Sequence, residues 1–216
     1  MADDHAGFPL GRPARLAVLA SGRGSNLAAL MASFPPGRGV ASPAADASVV
    51  LVVSDRRDAG ALALARDAGV SAVHIAFGRD REGFEAATQR ELERHRVDLI
   101  ALAGFMRVLS PGFTARWRGR LVNVHPSLLP AFPGLHAVRQ ALAAGVERSG
   151  CTVHFVDAGV DTGPVIERRE VPVLPGDDEA TLQARIQAME HEAFPAAVRA
   201  VLRGDASLSE TGGGPT

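Results

Sequence analysis

Asn123 and His125 close the apolar run Leu121-Val122-Asn123-Val124, just before the proline-bounded stretch Pro126-Ser127-Leu128-Leu129-Pro130. Side chains two apart on an extended strand point to the same face. An amide donor and an imidazole therefore leave the strand side by side. Asp161, in the run Asp157-Ala158-Gly159-Val160-Asp161-Thr162-Gly163-Pro164, supplies a carboxylate that would hold the imidazole protonated. Two donors and one acid are the parts needed to stabilise an oxyanion and move a proton, which is the chemistry of acyl transfer. A lone strand-end histidine would more simply bond a loop carbonyl, and Asp157 and Asp161 would each suit a turn around Gly159 and Gly163. The three residues together shift the reading from structure to chemistry. Ser127 beside His125 suggests a nucleophilic pair, but closeness in a proline loop gives no reason for an in-line hydrogen bond.

A second candidate is Gly22-Arg23-Gly24-Ser25-Asn26, between a first apolar run and a first helical pattern. Glycines let the backbone approach a phosphate, and helix N-terminal N–H groups favour the anion. The plainer alternative is a tight turn with Ser25 or Asn26 as an N-cap. A dinucleotide is disfavoured: Leu27 stands at the third glycine position, and no acid ends the second strand at the usual offset of roughly twenty residues. His5, His74, His95, His136 and His191 share no metal-ligand spacing with each other or with Cys151, so no metal is expected. His154 faces the same way as Thr152 and Val156, and fits either the site or a buried structural place.

These residues need elements to carry them. Strands are predicted over Arg15–Ala20, Ser48–Ser54, Ala72–Ile75, Asp98–Ala103, Leu121–Val124, Thr152–Val156 and Val165–Val171. Helices are predicted over Asn26–Ala32, Ala59–Ala68, Asp80–His95, Ala137–Ala144 and Asp178–Leu202. Alternating strands and helices imply an α/β fold, a mostly parallel twisted sheet with helices on both faces. The last two runs have no helix between them and would pair antiparallel. Residues 1–14 and 204–216 read as loose tails around one domain over 15–203, and Phe34–Asp46 reads as a long Pro/Gly/Ala loop.

The Asn-x-His group, the Ser-Leu-Leu-Pro loop and the later Asp161 resemble the folate-dependent formyltransferases. Ser21-Gly22-Arg23-Gly24-Ser25-Asn26-Leu27, Leu102-Ala103-Gly104-Phe105-Met106-Arg107-Val108-Leu109-Ser110 and Glu190-His191 narrow the likeness to the glycinamide ribonucleotide branch, from about Arg15 to Leu202. The resemblance implies a Rossmann-like sheet and formyl transfer from 10-formyltetrahydrofolate, as co-substrate, to 5′-phosphoribosylglycinamide in purine synthesis. It implies catalytic roles for Asn123, His125 and Asp161, and a phosphate site at Gly24, Ser25 and Asn26. Glu190 would meet the ribose, with Gln187 one turn earlier on the same helix face. Met106, Arg107, Val108 and Leu109 would line the folate pocket, joined by Asn123, by Arg81 near the charged tail, and by a mobile 157–161 loop including Asp157. Against the family's usual length, the Phe34–Asp46 loop looks long.

Composition sets bounds. With 216 residues, 46% of them apolar, the chain can bury a substantial core. A net charge of −1 gives no electrostatic case for nucleic acid or an anionic membrane as partner. No apolar run approaches a membrane span, and the acids of Met1-Ala2-Asp3-Asp4-His5 stand where a signal peptide carries bases. One cysteine excludes an internal disulfide. The expected setting is cytoplasmic, with small-molecule substrates and a monomer or homodimer. Formyltetrahydrofolate hydrolase is the nearest alternative, but usually has an additional N-terminal regulatory domain. A methionyl-tRNA formyltransferase would need a further C-terminal domain and basic surface. A catalytically silent nucleotide-binding module is the alternative outside enzymes.

Overall fold

The structure, a computed structural model, describes residues 7–36 and 46–208. Seven strands form one sheet in the order β3-β2-β1-β4-β5-β6-β7. They are β1 (Ala14–Leu19), β2 (Ala47–Ser54), β3 (Ser71–His74), β4 (Leu99–Leu102), β5 (Leu121–His125), β6 (Arg148–Phe155) and β7 (Val165–Pro172). The helices are α1 (Ser25–Ser33), α2 (Gly60–Asp67), α3 (Arg81–Arg94), α4 (Pro111–Arg116), α5 (Ala137–Ala143) and α6 (Glu179–Arg203). β1 to β5 run parallel, as the alternation predicts. β6 and β7 pair antiparallel as expected. The antiparallel pairing also reaches one strand further, between β5 and β6.

Two cores flank the sheet, and the period of two along β1 separates them. Leu16, Val18 and Ala20 join the side chains of α1, α2, α5 and α6. Ala17 and Leu19 face Phe84 and Leu92 of α3, and Phe113 and Trp117 at α4. Each fully buried aliphatic or aromatic side chain contributes roughly 1.5–3 kcal/mol. Exposed ion pairs such as Arg148–Glu170 contribute about 0–1 kcal/mol each, so apolar burial holds the fold.

Three expectations need correction. Helix α4 lies where the sequence predicts no element; Ser110 caps it by accepting from Phe113 N, and Pro111 takes the first turn. β6 starts at Arg148, because pairing with β7 carries the polar, glycine-containing stretch Arg148-Ser149-Gly150-Cys151 into the sheet. The described parts of the expected tails are packed: Phe8, Leu10, Ala206 and Leu208 lie against the main core, and Arg12 forks onto Asp98 through two 2.8 Å hydrogen bonds. Residues 1–6, 209–216 and 37–45 of the long loop lie outside the described residues.

The strand order reverses between β1 and β4, and in open α/β sheets the crevice outside such a switch point binds ligands. Here the loops after β1 and β4 meet. Ser21 N donates to Gly104 O at 3.1 Å, and Ser21 Oγ accepts from Met106 N at 3.1 Å. The phosphate-loop candidate and the Met106–Leu109 segment are thereby joined at one edge of the sheet.

Candidate active site

Asn123 and His125 sit at the end of β5, and β6 supplies their cross-strand neighbours: His154 opposite Asn123, Thr152 opposite His125. Asp161 arrives on the loop after β6 and stands at the centre of the group. Its Oδ2 accepts from Gly134 N at 2.8 Å and lies 3.2 Å from His125 Nδ1. Its Oδ1 lies 3.4 Å from Asn123 Nδ2 and 3.5 Å from His154 Nε2. The three residues named from sequence are brought together, and His154 joins them. A proton on His154 Nδ1 satisfies the Phe155 carbonyl at 2.8 Å, which leaves Nε2 to accept from Asn123 Nδ2 at 3.1 Å. A second proton would turn the same nitrogen into a donor toward Asp161.

The protonation of His125 departs from expectation. Its side chain is only 7% exposed, and burial, the largest influence, pulls its pKa below the ordinary histidine value. The Phe132 carbonyl, 2.9 Å from Nε2, and the Asp161 carboxylate pull upward with less effect, and His154 adds to the lowering. The neutral ring therefore prevails at neutral pH without substrate, although both nitrogens face acceptors. For Asp161, burial pushes upward but is outweighed by the hydrogen bonds of His154 and Gly134 N–H and the fields of both histidines. Its pKa lies below the usual carboxylate range, so the acid is ionised.

The proline loop is pinned from β6. Thr152 Oγ1 donates to Ser127 O at 2.7 Å and accepts from Leu129 N at 3.0 Å. Ser127 Oγ is turned to the Ala131 carbonyl, which removes the Ser–His nucleophilic pair from consideration. Cys151 offers no nucleophile either, since burial, then Glu190 and Glu167, push its thiol up to about 12. Among the described residues no group of three or more His, Cys, Asp or Glu is placed to hold a metal ion.

In the glycine loop after β1, Gly24 is the N-cap of α1 with φ 92° and no side-chain cap is present. Ala28 N bonds back to Gly24 O, so the earlier N–H groups of Ser25, Asn26 and Leu27 are the free end of the helix ladder. The missing Cβ of Gly24 serves packing: a Cβ there would lie 2.9 Å from Ala61 Cα of α2. Asn26 turns inward and donates from Nδ2 to Glu190 Oε2 at 2.8 Å. Glu190 is 4% exposed; burial raises its pKa above the carboxylate range and the Asn26 bond only partly offsets this. Gln187 is half-buried one turn earlier on α6.

Arg81, Met106, Arg107 and Val108 share one cavity of about 660 Å³, with Phe77, Arg79, Asp80 and Glu82. Leu109 points elsewhere, into the core beside α3 and α4. Asp157 Oδ1 accepts from Gly159 N at 3.0 Å and Thr162 Oγ1 at 2.7 Å, the turn-forming part that its neighbours suggest. Sequence reasoning missed Thr152, Gly134 and the Phe132 carbonyl, because loop closure and strand register bring them in. It also missed Asp55, whose one available signal is an acid following an apolar strand.

Residues 14–198 match the formyl transferase family model. The chain belongs to the formyl transferase family. The match runs from the first residue of β1 into α6, so it takes in all seven strands and both ends of the crevice. The chain is similar to the trifunctional purine biosynthetic protein adenosine-3 of Drosophila melanogaster, 51% identical over 201 residues covering 92% of this chain; it spans 14% of that protein's length. It is also similar to phosphoribosylglycinamide formyltransferase of Mycobacterium tuberculosis H37Rv, 45% identical over 89% of this chain and 87% of that one. Among solved structures, glycinamide ribonucleotide transformylase 1 from Symbiobacterium toebii superposes with a TM-score of 0.82 at 44% identity, covering 90% of each chain.

Proposed function

We propose that this formyl transferase family member moves a formyl group from 10-formyltetrahydrofolate to the amine of 5′-phosphoribosylglycinamide, giving the N-formyl ribonucleotide and tetrahydrofolate. The observation that carries the reading is the Asp161 hub, with Asn123, His125 and His154 around one carboxylate at the end of a crevice with two distinct walls. The amine attacks the formyl carbon, and the formyl oxygen takes up negative charge. Asn123 Nδ2 and a His125 N–H stabilise that oxygen. Both His125 nitrogens already face protein acceptors. Donation to substrate therefore displaces one of them, and the Asp161 contact at 3.2 Å is longer than the 2.9 Å Phe132 contact. The growing oxyanion favours the imidazolium that burial disfavours at rest. Ionised Asp161 then orders the water that carries a proton from the attacking amine to the leaving nitrogen.

The ribonucleotide wall comprises the backbone of Gly24, Ser25 and Asn26 for the 5′-phosphate, with Glu190 and Gln187 toward the ribose. The folate wall comprises Arg81, Met106, Arg107 and Val108, with Asn123 at its inner end and the 157–161 loop above. Leu109 supports that wall from the core. No helix among the described residues is long and apolar enough to cross a membrane. We place the enzyme in the cytoplasm, as a monomer or homodimer, working without metal. Tetrahydrofolate absorbance, followed with and without the ribonucleotide, tests the reading. Deformylation should require the ribonucleotide, and removing its 5′-phosphate should weaken binding severely. Rapid deformylation by water alone would show a hydrolase instead.

A further inference from the structure

Asp55 directly follows β2, and its side chain is 1% exposed. Oδ2 accepts from Arg107 Nε at 2.7 Å, while Oδ1 is buried without a hydrogen-bond partner. A carboxylate buried with half its acceptor capacity empty is costly, and a buried ion pair is weak grounds for stability. What the pair does accomplish is geometric. The Arg107 guanidinium is held at its Nε edge by Asp55, and its carbon lies 5.1 Å from the centroid of the Phe77 ring. Phe77 is itself fixed, packed on Phe84 at 5.1 Å, which stacks on Phe105 at 5.7 Å. Edge and face of a planar group are thus both defined. Among the described residues no hydrogen bond engages the two terminal nitrogens of Arg107, whose side chain is 45% exposed and lines the 660 Å³ cavity. A guanidinium fork set this way suits bidentate capture of a carboxylate. Of the two acids that line the cavity, Asp80 and Glu82, Asp80 accepts from Gly83 N as the cap of α3.

We propose that Asp55 is a positioning residue that sets Arg107 to grip a carboxylate on the glutamyl tail of the folate co-substrate. This rests on the folate reading of the cavity. Two roles for Asp55 predict opposite signs. If it acted only as a negative charge beside the cavity, its removal would strengthen binding of an anionic tail. As a positioning residue, its removal weakens that binding, because Arg107 loses its fixed edge.

The experiment measures by calorimetry the affinities of tetrahydrofolate and of tetrahydropteroate, which lacks the glutamyl tail. The full-length wild-type chain, Asp55→Asn, Asp55→Ala, Arg107→Ala and the Asp55→Ala/Arg107→Ala double variant are compared. Wild type should prefer the tailed ligand by about tenfold or more, the range of a charged hydrogen bond. The preference should fall in the order wild type, Asp55→Asn, Asp55→Ala, since the amide oxygen still accepts from the guanidinium Nε but no longer forms an ion pair with it. The double variant should show no smaller preference than Arg107→Ala. An unchanged or increased preference in the Asp55 variants overturns the proposal, as does an additive double variant. Should Asp55→Ala fail to fold, the near-isosteric Asp55→Asn and the half-exposed Arg107→Ala still decide the sign. Wild-type turnover of formyl donor and ribonucleotide, without any tail preference, would sink this proposal alone. Failure to bind either folate would remove the folate reading with it.

Discussion

Asp161 is where single-residue chemistry can be read most directly, since one carboxylate touches two histidines, an amide and a backbone N–H. It raises the His125 pKa against the stronger effect of burial. Asp161→Asn removes that support, so NMR titration should show the His125 pKa falling further below its ordinary value. Turnover should drop on the order of 100- to 10,000-fold, the usual contribution of a positioned proton-transfer group. An unmoved pKa would show that the pair is not electrostatically coupled. Stability follows by linkage. His125 binds fewer protons folded than unfolded, so its contribution is present above the unfolded value of about 6.5 and is lost as pH falls through the folded value. Asp161, also lowered by folding, acts in the same direction at more acid pH. Asn123, His125 and Asp161 were legible because type and spacing alone define a donor pair and an acid. The protonation state was not, because it turns on a burial that no local pattern reports. His154 was left open for a related reason: its place depends on the β5–β6 register, which only the folded sheet supplies.

At the scale of elements, the order of strands and helices was legible from hydrophobic period, and the exceptions have physical causes. Six-residue α4 is too short to show a helical period, and its signal is the Ser110-Pro111 start alone. The early part of β6 is polar and becomes strand through its neighbour rather than through its own propensity. The glycine loop after β1 illustrates a motif whose residues have a structural reason of their own. Gly24 looks like a phosphate-loop glycine, yet its left-handed backbone and its approach to α2 demand glycine before any ligand arrives. Gly24→Val should therefore destabilise the unliganded protein by about 2–5 kcal/mol, adding the left-handed penalty to the cost of forcing α1 from α2. Urea denaturation measures this. A valine variant as stable as wild type, with only ribonucleotide binding lost, would show that packing does not govern this position.

Across the whole molecule, the sheet separates the two walls. α1 and α6 pack on one face, whereas α3 packs on the other, so the proposed ribonucleotide residues and the proposed folate cavity approach the crevice from opposite sides of the sheet edge. The Asn26–Glu190 bond joins residues 164 positions apart and closes the proposed ribonucleotide side. Glu190 carries a cost: its carboxylate is buried, its folded pKa is raised, and a raised acid destabilises the fold as pH climbs above the ordinary carboxylate value. The proposed contact with the ribose and the stability of the fold would pull apart at this position, as they do at many functional sites. Glu190→Gln should keep a hydrogen bond from Asn26 while removing the buried charge. Thermal unfolding of the unliganded variant should move upward at neutral pH, by roughly 2–4 °C for each kcal/mol relieved in a chain of this size. The ribonucleotide KM should rise by about tenfold or more, the loss of a charged hydrogen bond to the ribose. The folate KM should stay within a factor of about two, because distant sites with no shared partner are close to independent. A variant with lower Tm, or with both KM values raised together, would mean that Glu190 holds the crevice as a whole rather than one wall of it.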